Sequence, residues 1–186
     1  RAVGWMAIKR GFELSDDSSI GALVDEFAKN YSWSDQSLLI NNANITAELG
    51  SPEVSRAASA IARLPSVRKK LLPVQRDVIA AAPRGIIVDG RDIGTVVCPD
   101  ADLKVFMTAS LLERARRRLK QLEDNNPGYK GELAQIMDDI SGRDLQDQQR
   151  GQAPLRKADD AIEFDNSDLT IENAVKSLVE LIKERT

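Results

Sequence analysis

The spacing of apolar residues predicts a series of helices in the first half of the chain. Segment 1–9 carries apolar residues at helical spacing, and residues 20–27 form a second apolar face behind the polar break 15–19. Ser51-Pro52-Glu53 combines a capping hydroxyl, a first-turn proline and an acid that the helix dipole favours, so a helix is predicted to begin there. The same periodicity continues beyond Pro65 towards residue 82.

A different pattern separates the second and third of these helices. Residues 31–34 alternate aromatic and serine side chains, and the apolar stretch 38–40 follows after the polar pair Asp35-Gln36. This arrangement predicts a hairpin, with a third short stretch expected near 45–46. Residues 20–50 are therefore expected to form a compact lobe of one helix and a hairpin.

Continuously apolar segments in the second half predict strands that are buried on both faces. These segments are 86–88, 103–107 and 161–164. Unbroken apolar character is typical of parallel strands that lie between helices. Helices are predicted at 110–122 and 170–185, and their alternation with the strands favours a doubly wound α/β core.

The stretch between Leu122 and Leu155 is polar and charged, with one predicted helix at 132–140. A charged segment between two buried strands is more typical of a lid over a binding site than of a linker.

Composition excludes several classes of chemistry. Lys and Arg number 26 against 29 Asp and Glu, a net charge of -3, which argues against charge-driven binding to nucleic acid or to an anionic membrane. Histidine is absent, so Ser-His-Asp and Cys-His catalysis and most catalytic zinc sites are excluded. Cys98 is the one cysteine, which excludes an intrachain disulfide and favours a reducing, cytoplasmic compartment. Carboxylates and arginines are therefore the polar side chains that remain for binding or catalysis.

The string Asp89-Gly90-Arg91-Asp92, directly after the apolar segment 86–88, is the first candidate site. Ligands of open parallel sheets bind beyond the carboxyl ends of the strands. Arg91 suits a phosphate group and Asp92 suits donors on a base or a sugar, while Gly90 allows a close backbone turn. The alternative is a turn that ends the strand, with Arg91 and Asp92 as a pair on the surface and no ligand.

Arginines form the second candidate. Four of them crowd the helix at residues 114–118, and Arg143 and Arg150 flank the acids Asp144 and Asp147. Such a cluster suits a cationic clamp around transferring phosphates. A solvated helix face, with Glu113 paired to Arg117 four residues later, is the alternative.

Longer strings resemble a known family. The run IIVDGRDIGTVVCPDADLKVFMTAS, followed by ERARRR and GRDLQDQQRGQAPL, is similar to bacterial cytidylate kinase, a nucleoside monophosphate kinase. The resemblance extends to ASAIARLPSVR and to the opening RAVG, so it covers essentially the whole chain. It implies transfer of the γ-phosphoryl group of MgATP to CMP or dCMP, with Mg²⁺ bound through nucleotide phosphates, by a monomer.

The resemblance also implies a role for individual residues. The cytosine would be held by Ser59, Arg68 and Asp92. The phosphate of CMP would be held by Arg1, Arg91 and Arg150, with Arg143 and Asp147 near the pentose and phosphate. Arg91, Arg143 and Arg150 are the candidate catalytic residues, and Arg114 and Arg117 are the candidate ATP contacts of the lid.

The implied fold is a P-loop NTPase-like doubly wound parallel sheet with a small α+β insert that binds the monophosphate and a helical lid. On this basis the chain divides into a core helix at 1–19, the insert at 20–50, core at 51–115, the lid at 116–152 and core at 153–186.

One family feature has no counterpart in the sequence. The family's first strand leads into a phosphate-binding loop, G-x-x-x-x-G-K-S/T, whereas no glycine of this chain is followed by lysine. We therefore expect the chain to be a fragment that lacks this strand and loop, and to have little or no kinase activity alone. The alternatives are a loop-less pyrimidine nucleotide-binding protein without catalysis and a monophosphate kinase for another base, such as UMP.

Overall fold

The computed structural model describes residues 1–34, 37–83, 85–149, 151 and 153–185. The chain divides into two compact units, an N-terminal unit of residues 1–87 and a C-terminal unit of residues 88–186. The N-terminal unit contains helices α1 (Ala2–Lys9), α2 (Asp17–Asn30), α3 (Pro52–Ile61) and α4 (Pro65–Ala80), strands β1 (Tyr31–Ser34), β2 (Ser37–Ile40) and β3 (Ala43–Asn44), and a 3₁₀ turn at Thr46–Gly50.

Side-chain caps fix where two of these helices begin. The Asp16 carboxylate accepts hydrogen bonds from the backbone N–H groups of Ser18 and Ser19, at 3.0 and 3.1 Å, and α2 follows it. The Ser51 hydroxyl accepts from the N–H of Val54 at 3.2 Å ahead of α3. Both caps satisfy N–H groups that a helix start leaves without partners, which confirms the predicted beginnings.

The predicted hairpin is confirmed, with one shift in its third strand. β1 pairs antiparallel with β2, and β2 pairs antiparallel with β3; the turn pair Asp35 and Gln36 lies outside the described residues. β3 occupies Ala43–Asn44 rather than 45–46, because Ile45 turns inward. Its side chain is 2% exposed, and its N–H donates to the carbonyl of Leu38 at 3.1 Å.

The N-terminal unit has one hydrophobic core that unites α1, α2, β2 and α4. Met6, Ile20, Val24, Ile45 and Val67 are its most deeply buried large side chains. The helix at 1–9 therefore shares its core with the predicted insert. The boundaries of that insert at 20 and 50 stay a prediction.

The C-terminal unit is built on a parallel strand pair. Its elements are a π-helical turn (Ile93–Val97), β4 (Val105–Thr108), α5 (Leu111–Asn125), α6 (Leu133–Gln148), β5 (Ile162–Asp165) and α7 (Ile171–Lys183). β4 and β5 pair in parallel from Val105 opposite Ile162 to Thr108 opposite Asp165. A parallel pair with intervening helices makes the chain a mixed α/β protein. The doubly wound, P-loop-like arrangement stays a prediction.

The predicted strand at 86–88 is wrong for this structure. Residues 85–89 do not form a strand, and Ile87 is 90% exposed. Strand structure requires a partner for the backbone N–H and C=O groups, and the described sheet that contains β4 consists only of β4 and β5. Apolar composition alone does not supply that partner.

The expected burial of the strands on both faces is also wrong here. Met107 of β4 is 53% exposed, and α7 presents Ile171 and Val175 to solvent with 80% and 53% exposure. A two-stranded sheet buries fewer side chains than an inner strand of a wider sheet does. In the part of the chain that the structure describes, no helix has the length and apolar character that crossing a membrane requires.

Candidate functional site

The carboxyl ends of β4 and β5 lie side by side, because Thr108 and Asp165 are partners in the parallel register. Polar residues follow both strands. The Asp165 carboxylate accepts from the Ser167 N–H at 2.8 Å and from its hydroxyl at 2.6 Å. The Ser167 oxygen in turn accepts from the N–H of Ser110, at 2.8 Å, and Ser110 caps α5. This chain of hydrogen bonds joins the end of β5 to the start of α5.

We expect these hydrogen bonds to make the stability of the C-terminal unit depend on pH in the acid range. The hydroxyl and then the N–H of Ser167 hold the pKa of Asp165 below its ordinary value, since both favour the charged carboxylate. An aspartate in the unfolded chain titrates at about pH 3.9, so this stabilisation is present above that pH. It is lost as the pH falls further, through the lower pKa of the folded state.

We therefore expect Asp165→Asn to lower the melting temperature at neutral pH and to have a smaller effect below about pH 4. Thermal melts of wild type and variant across this range measure the difference. A difference that does not change with pH would contradict the account.

Arg91 and Asp147 are two predicted site residues that the structure brings together. The Nε atom of Arg91 lies 3.3 Å from Oδ2 of Asp147, and the carboxylate is the less exposed partner, at 16% against 48%. The backbone carbonyl of Asp147 also accepts from the N–H of Leu155 at 2.8 Å. The ion pair thus connects the 89–92 string to the end of α6 and leaves much of the Arg91 side chain exposed.

Asp92 begins the π-helical turn at 93–97. Its backbone carbonyl accepts from the N–H groups of Val96 and Val97, at 2.9 and 3.3 Å, and its side chain is half-buried. A Cβ atom at Gly90 would lie 2.8 Å from Cγ1 of Ile93, closer than real contacts allow. Any other residue at this position would therefore require the Ile93 side chain to move, so glycine is favoured at this turn.

The arginines of α5 differ in their surroundings. Arg114 donates through Nε to the carbonyl of Ala109, at 3.1 Å, and forms an ion pair with Asp144 of α6. Arg117 pairs with Glu113 at 2.8 Å, as predicted, and its terminal nitrogens donate to Asn166. Two arginines of the cluster therefore make specific contacts, beyond what a solvated helix face requires.

The remaining predicted residue of α6, Arg143, is exposed. Its side chain makes no hydrogen bond or ion pair with any residue in the described ranges, so its guanidinium donors are available to a ligand. Arg150, the other predicted phosphate ligand of this region, lies outside the described residues.

Three predicted residues belong to the N-terminal unit. Arg1 donates to the carbonyl of Leu49 at 2.9 Å, and Ser59 is exposed on α3. Arg68 is half-buried on α4 and donates to the carbonyl of Ala62 at 3.3 Å. Ser59 and Arg68 thus flank the junction between α3 and α4. Their roles stay predictions, as do those of the residues in the C-terminal unit.

The polar residues that follow β5 were not among the predicted site residues. Among the described residues, Asn166 is the polar side chain that is buried, with 9% exposure. Ser167 connects Asp165 to Ser110 by hydrogen bonds. A signal was present, since Asp165-Asn166-Ser167-Asp168 directly follows the apolar run 161–164. The same rule that identified residues 89–92 applies to this strand end.

Comparison with known proteins identifies the family. The family model described as Cytidylate kinase matches residues 1–184. The chain belongs to the cytidylate kinase family. Members of this family are nucleoside monophosphate kinases, which are phosphotransferases, so the resemblance found in the sequence is confirmed.

Curated relatives agree with this assignment. A cytidylate kinase of Pasteurella multocida is 38% identical over 99% of this chain and 80% of its own length. One of Streptomyces avermitilis is 35% identical over 100% of this chain and 78% of its own. One of Caldicellulosiruptor saccharolyticus is 44% identical over 78% of this chain, a match that spans 63% of that relative.

Proposed function

We propose that the gene product carrying this chain transfers the γ-phosphoryl group of ATP to CMP or dCMP, which gives ADP and CDP or dCDP. The match of the cytidylate kinase model to residues 1–184 is the observation that carries this proposal. The pairing of Arg91 with Asp147 supports it, because the pair joins two strings that carry the family resemblance. A cytoplasmic, monomeric enzyme is part of the same proposal.

Cytosine recognition is assigned to Ser59, Arg68 and Asp92. The base presents a ring nitrogen and a carbonyl as acceptors and an amino group as donor. The guanidinium of Arg68 supplies donors and the carboxylate of Asp92 supplies an acceptor, so the two are complementary to that edge. A base that lacks the amino donor leaves a charged acceptor without its partner, and this cost provides selectivity.

Phosphate binding and catalysis are assigned to arginines. Arg1, Arg91 and Arg150 would hold the phosphate of CMP, Arg143 and Asp147 would lie near its pentose and phosphate, and Arg114 and Arg117 would contact ATP. A phosphate oxygen of CMP attacks the γ-phosphorus and ADP leaves, so no proton has to be removed from the nucleophile. Arginines offset the repulsion between the two anionic substrates, and Arg91, Arg143 and Arg150 are the proposed catalytic set.

Mg²⁺ is proposed to arrive with the phosphates of ATP. Among residues 1–34, 37–83, 85–149, 151 and 153–185, no group of three or more carboxylate or cysteine side chains is placed to hold a metal ion. When bound, the ion would neutralise charge on the transferring phosphates. The arginines of this chain would complete that neutralisation.

The 186-residue chain alone is predicted to bind ATP poorly and to show little or no turnover, because no glycine in it precedes a lysine. ADP formation by this chain, with CMP and MgATP, measures the effect against a cytidylate kinase that contains the G-x-x-x-x-G-K-S/T loop as control. Equal rates for the two proteins would contradict the prediction. A catalytically inactive nucleotide-binding protein is the second candidate function, and the same missing Gly-Lys pair is the observation that favours it.

Comparison of CMP, dCMP, UMP and AMP as acceptors in the full gene product tests the proposed function. We expect CMP and dCMP to have the largest kcat/KM values. Arg68→Met is expected to reduce the preference for CMP over UMP. A preference for UMP or AMP in the wild type would overturn the assignment of the base.

A further inference from the structure

Arg117 and Asn166 form hydrogen bonds that have no part in the binding and catalytic roles proposed above. Asn166 follows β5 and is 9% exposed, and its N–H donates to the carbonyl of Thr108 at the end of β4, at 2.9 Å. Arg117 donates to its side-chain oxygen and to its backbone carbonyl, both at 2.7 Å. Asn166 therefore fixes one arginine of α5 to the carboxyl ends of both strands.

The guanidinium of Arg117 is held on several sides. Besides Asn166, it contacts Glu113 through Nε at 2.8 Å and the carbonyl of Leu169 at 3.5 Å. Four hydrogen bonds to three residues leave little freedom for the side chain to turn towards a ligand. This geometry is that of a residue that orients its helix, because each acceptor belongs to α5 itself or to the loop after β5.

The helix that Arg117 fixes carries the other candidate ATP contact. Arg114 lies one turn earlier on α5 and forms the ion pair with Asp144 of α6. α5 also packs against α6. A change in the placement of α5 relative to the strands therefore moves Arg114 and α6 together.

We propose that Arg117 and Asn166 are positioning residues for ATP: their hydrogen bonds hold the first turns of α5 against the end of β5 and so place Arg114. This inference rests on the proposed function, since it concerns the nucleotide of that reaction. It replaces a direct contact between Arg117 and ATP by an action through Asn166 and the helix.

A double-mutant cycle in the full gene product tests the inference. Arg117→Ala and Asn166→Ala are each expected to raise KM for ATP about tenfold, in line with a lost hydrogen bond to a charged group, while KM for CMP changes less than about twofold. The double variant is expected to match Arg117→Ala, because the hydrogen bond that Asn166→Ala removes is one of those that Arg117→Ala already removes. Asn166→Asp, which keeps the acceptor, is expected to restore KM for ATP.

Lys120→Ala is the matched control, since Lys120 is an exposed cation of the same helix. It is expected to leave KM for both substrates unchanged. If Arg117→Ala impairs ATP use while Asn166→Ala does not, or if the two effects multiply, Arg117 acts independently of Asn166 and the inference is overturned. A parallel change in KM for CMP would overturn it as well.

Amide hydrogen exchange across residues 111–118 separates this inference from the proposed function. Asn166→Ala is expected to increase exchange there and leave exchange in α2 unchanged. Unchanged exchange overturns the positioning role, whether or not the protein is active. A wild type that transfers no phosphoryl group to CMP overturns the proposed function instead, and the exchange result then still decides whether Asn166 holds α5.

Discussion

Replacement of Asp92 by alanine in the full gene product is expected to lower kcat/KM for CMP about 100-fold and to leave KM for ATP within about twofold. In the proposed site, the Asp92 carboxylate accepts a hydrogen bond from the cytosine amino group. Loss of a hydrogen bond to a charged group costs about 1.5–3 kcal/mol, or about 10- to 100-fold in kcat/KM. Steady-state kinetics with each substrate varied in turn measure both constants.

The preference between CMP and UMP gives the sharper readout of this variant. Uracil carries a carbonyl where cytosine carries its amino group, so an Asp92 carboxylate in the proposed position would repel UMP as well as attract CMP. The ratio of kcat/KM for CMP to that for UMP should therefore fall in Asp92→Ala. Asp89→Ala is the control, since Asp89 is an exposed aspartate three residues earlier. Unchanged saturation by CMP in the Asp92 variant would remove this residue from the base site.

Ile20→Ala is expected to lower the free energy of unfolding of the N-terminal unit by about 3 kcal/mol. The side chain is 0% exposed and lies in the core shared by α1, α2, β2 and α4. Truncation of a buried isoleucine to alanine removes its transfer free energy and leaves a cavity, at a total cost of about 2–5 kcal/mol.

Tryptophan fluorescence during urea unfolding measures this loss. Both tryptophans of the chain, Trp5 and Trp33, belong to the N-terminal unit. Lys29→Ala, an exposed change on the same helix, is the control and should alter the unfolding free energy by less than about 0.5 kcal/mol. Equal losses in the two variants would show that Ile20 does not belong to a packed core.

Local signals predicted the helices of the chain well, because caps and periodicity act over a few residues. Asp16 and Ser51 each satisfy N–H groups within three residues of themselves, so their sequences alone mark the helix starts. The Glu113–Arg117 pair is of the same kind, since it requires only helical spacing.

Pairing between distant segments was not predictable in the same way. Apolar character at 86–88 predicted a strand, but a strand depends on a partner elsewhere, and Ile87 is exposed. The contact of Arg117 with Asn166 spans 49 positions, and no local pattern specifies it. The pairing of Arg91 with Asp147 was predicted only in part. The family resemblance identified both residues as site residues but did not predict their contact.

Transfer of radiolabel from [γ-³²P]ATP to CMP in the full gene product is the most direct test of the account. We expect CDP labelled at its β-phosphate and an equal amount of ADP. Tight binding of CMP without any labelled CDP would contradict it and would favour the non-catalytic nucleotide-binding alternative.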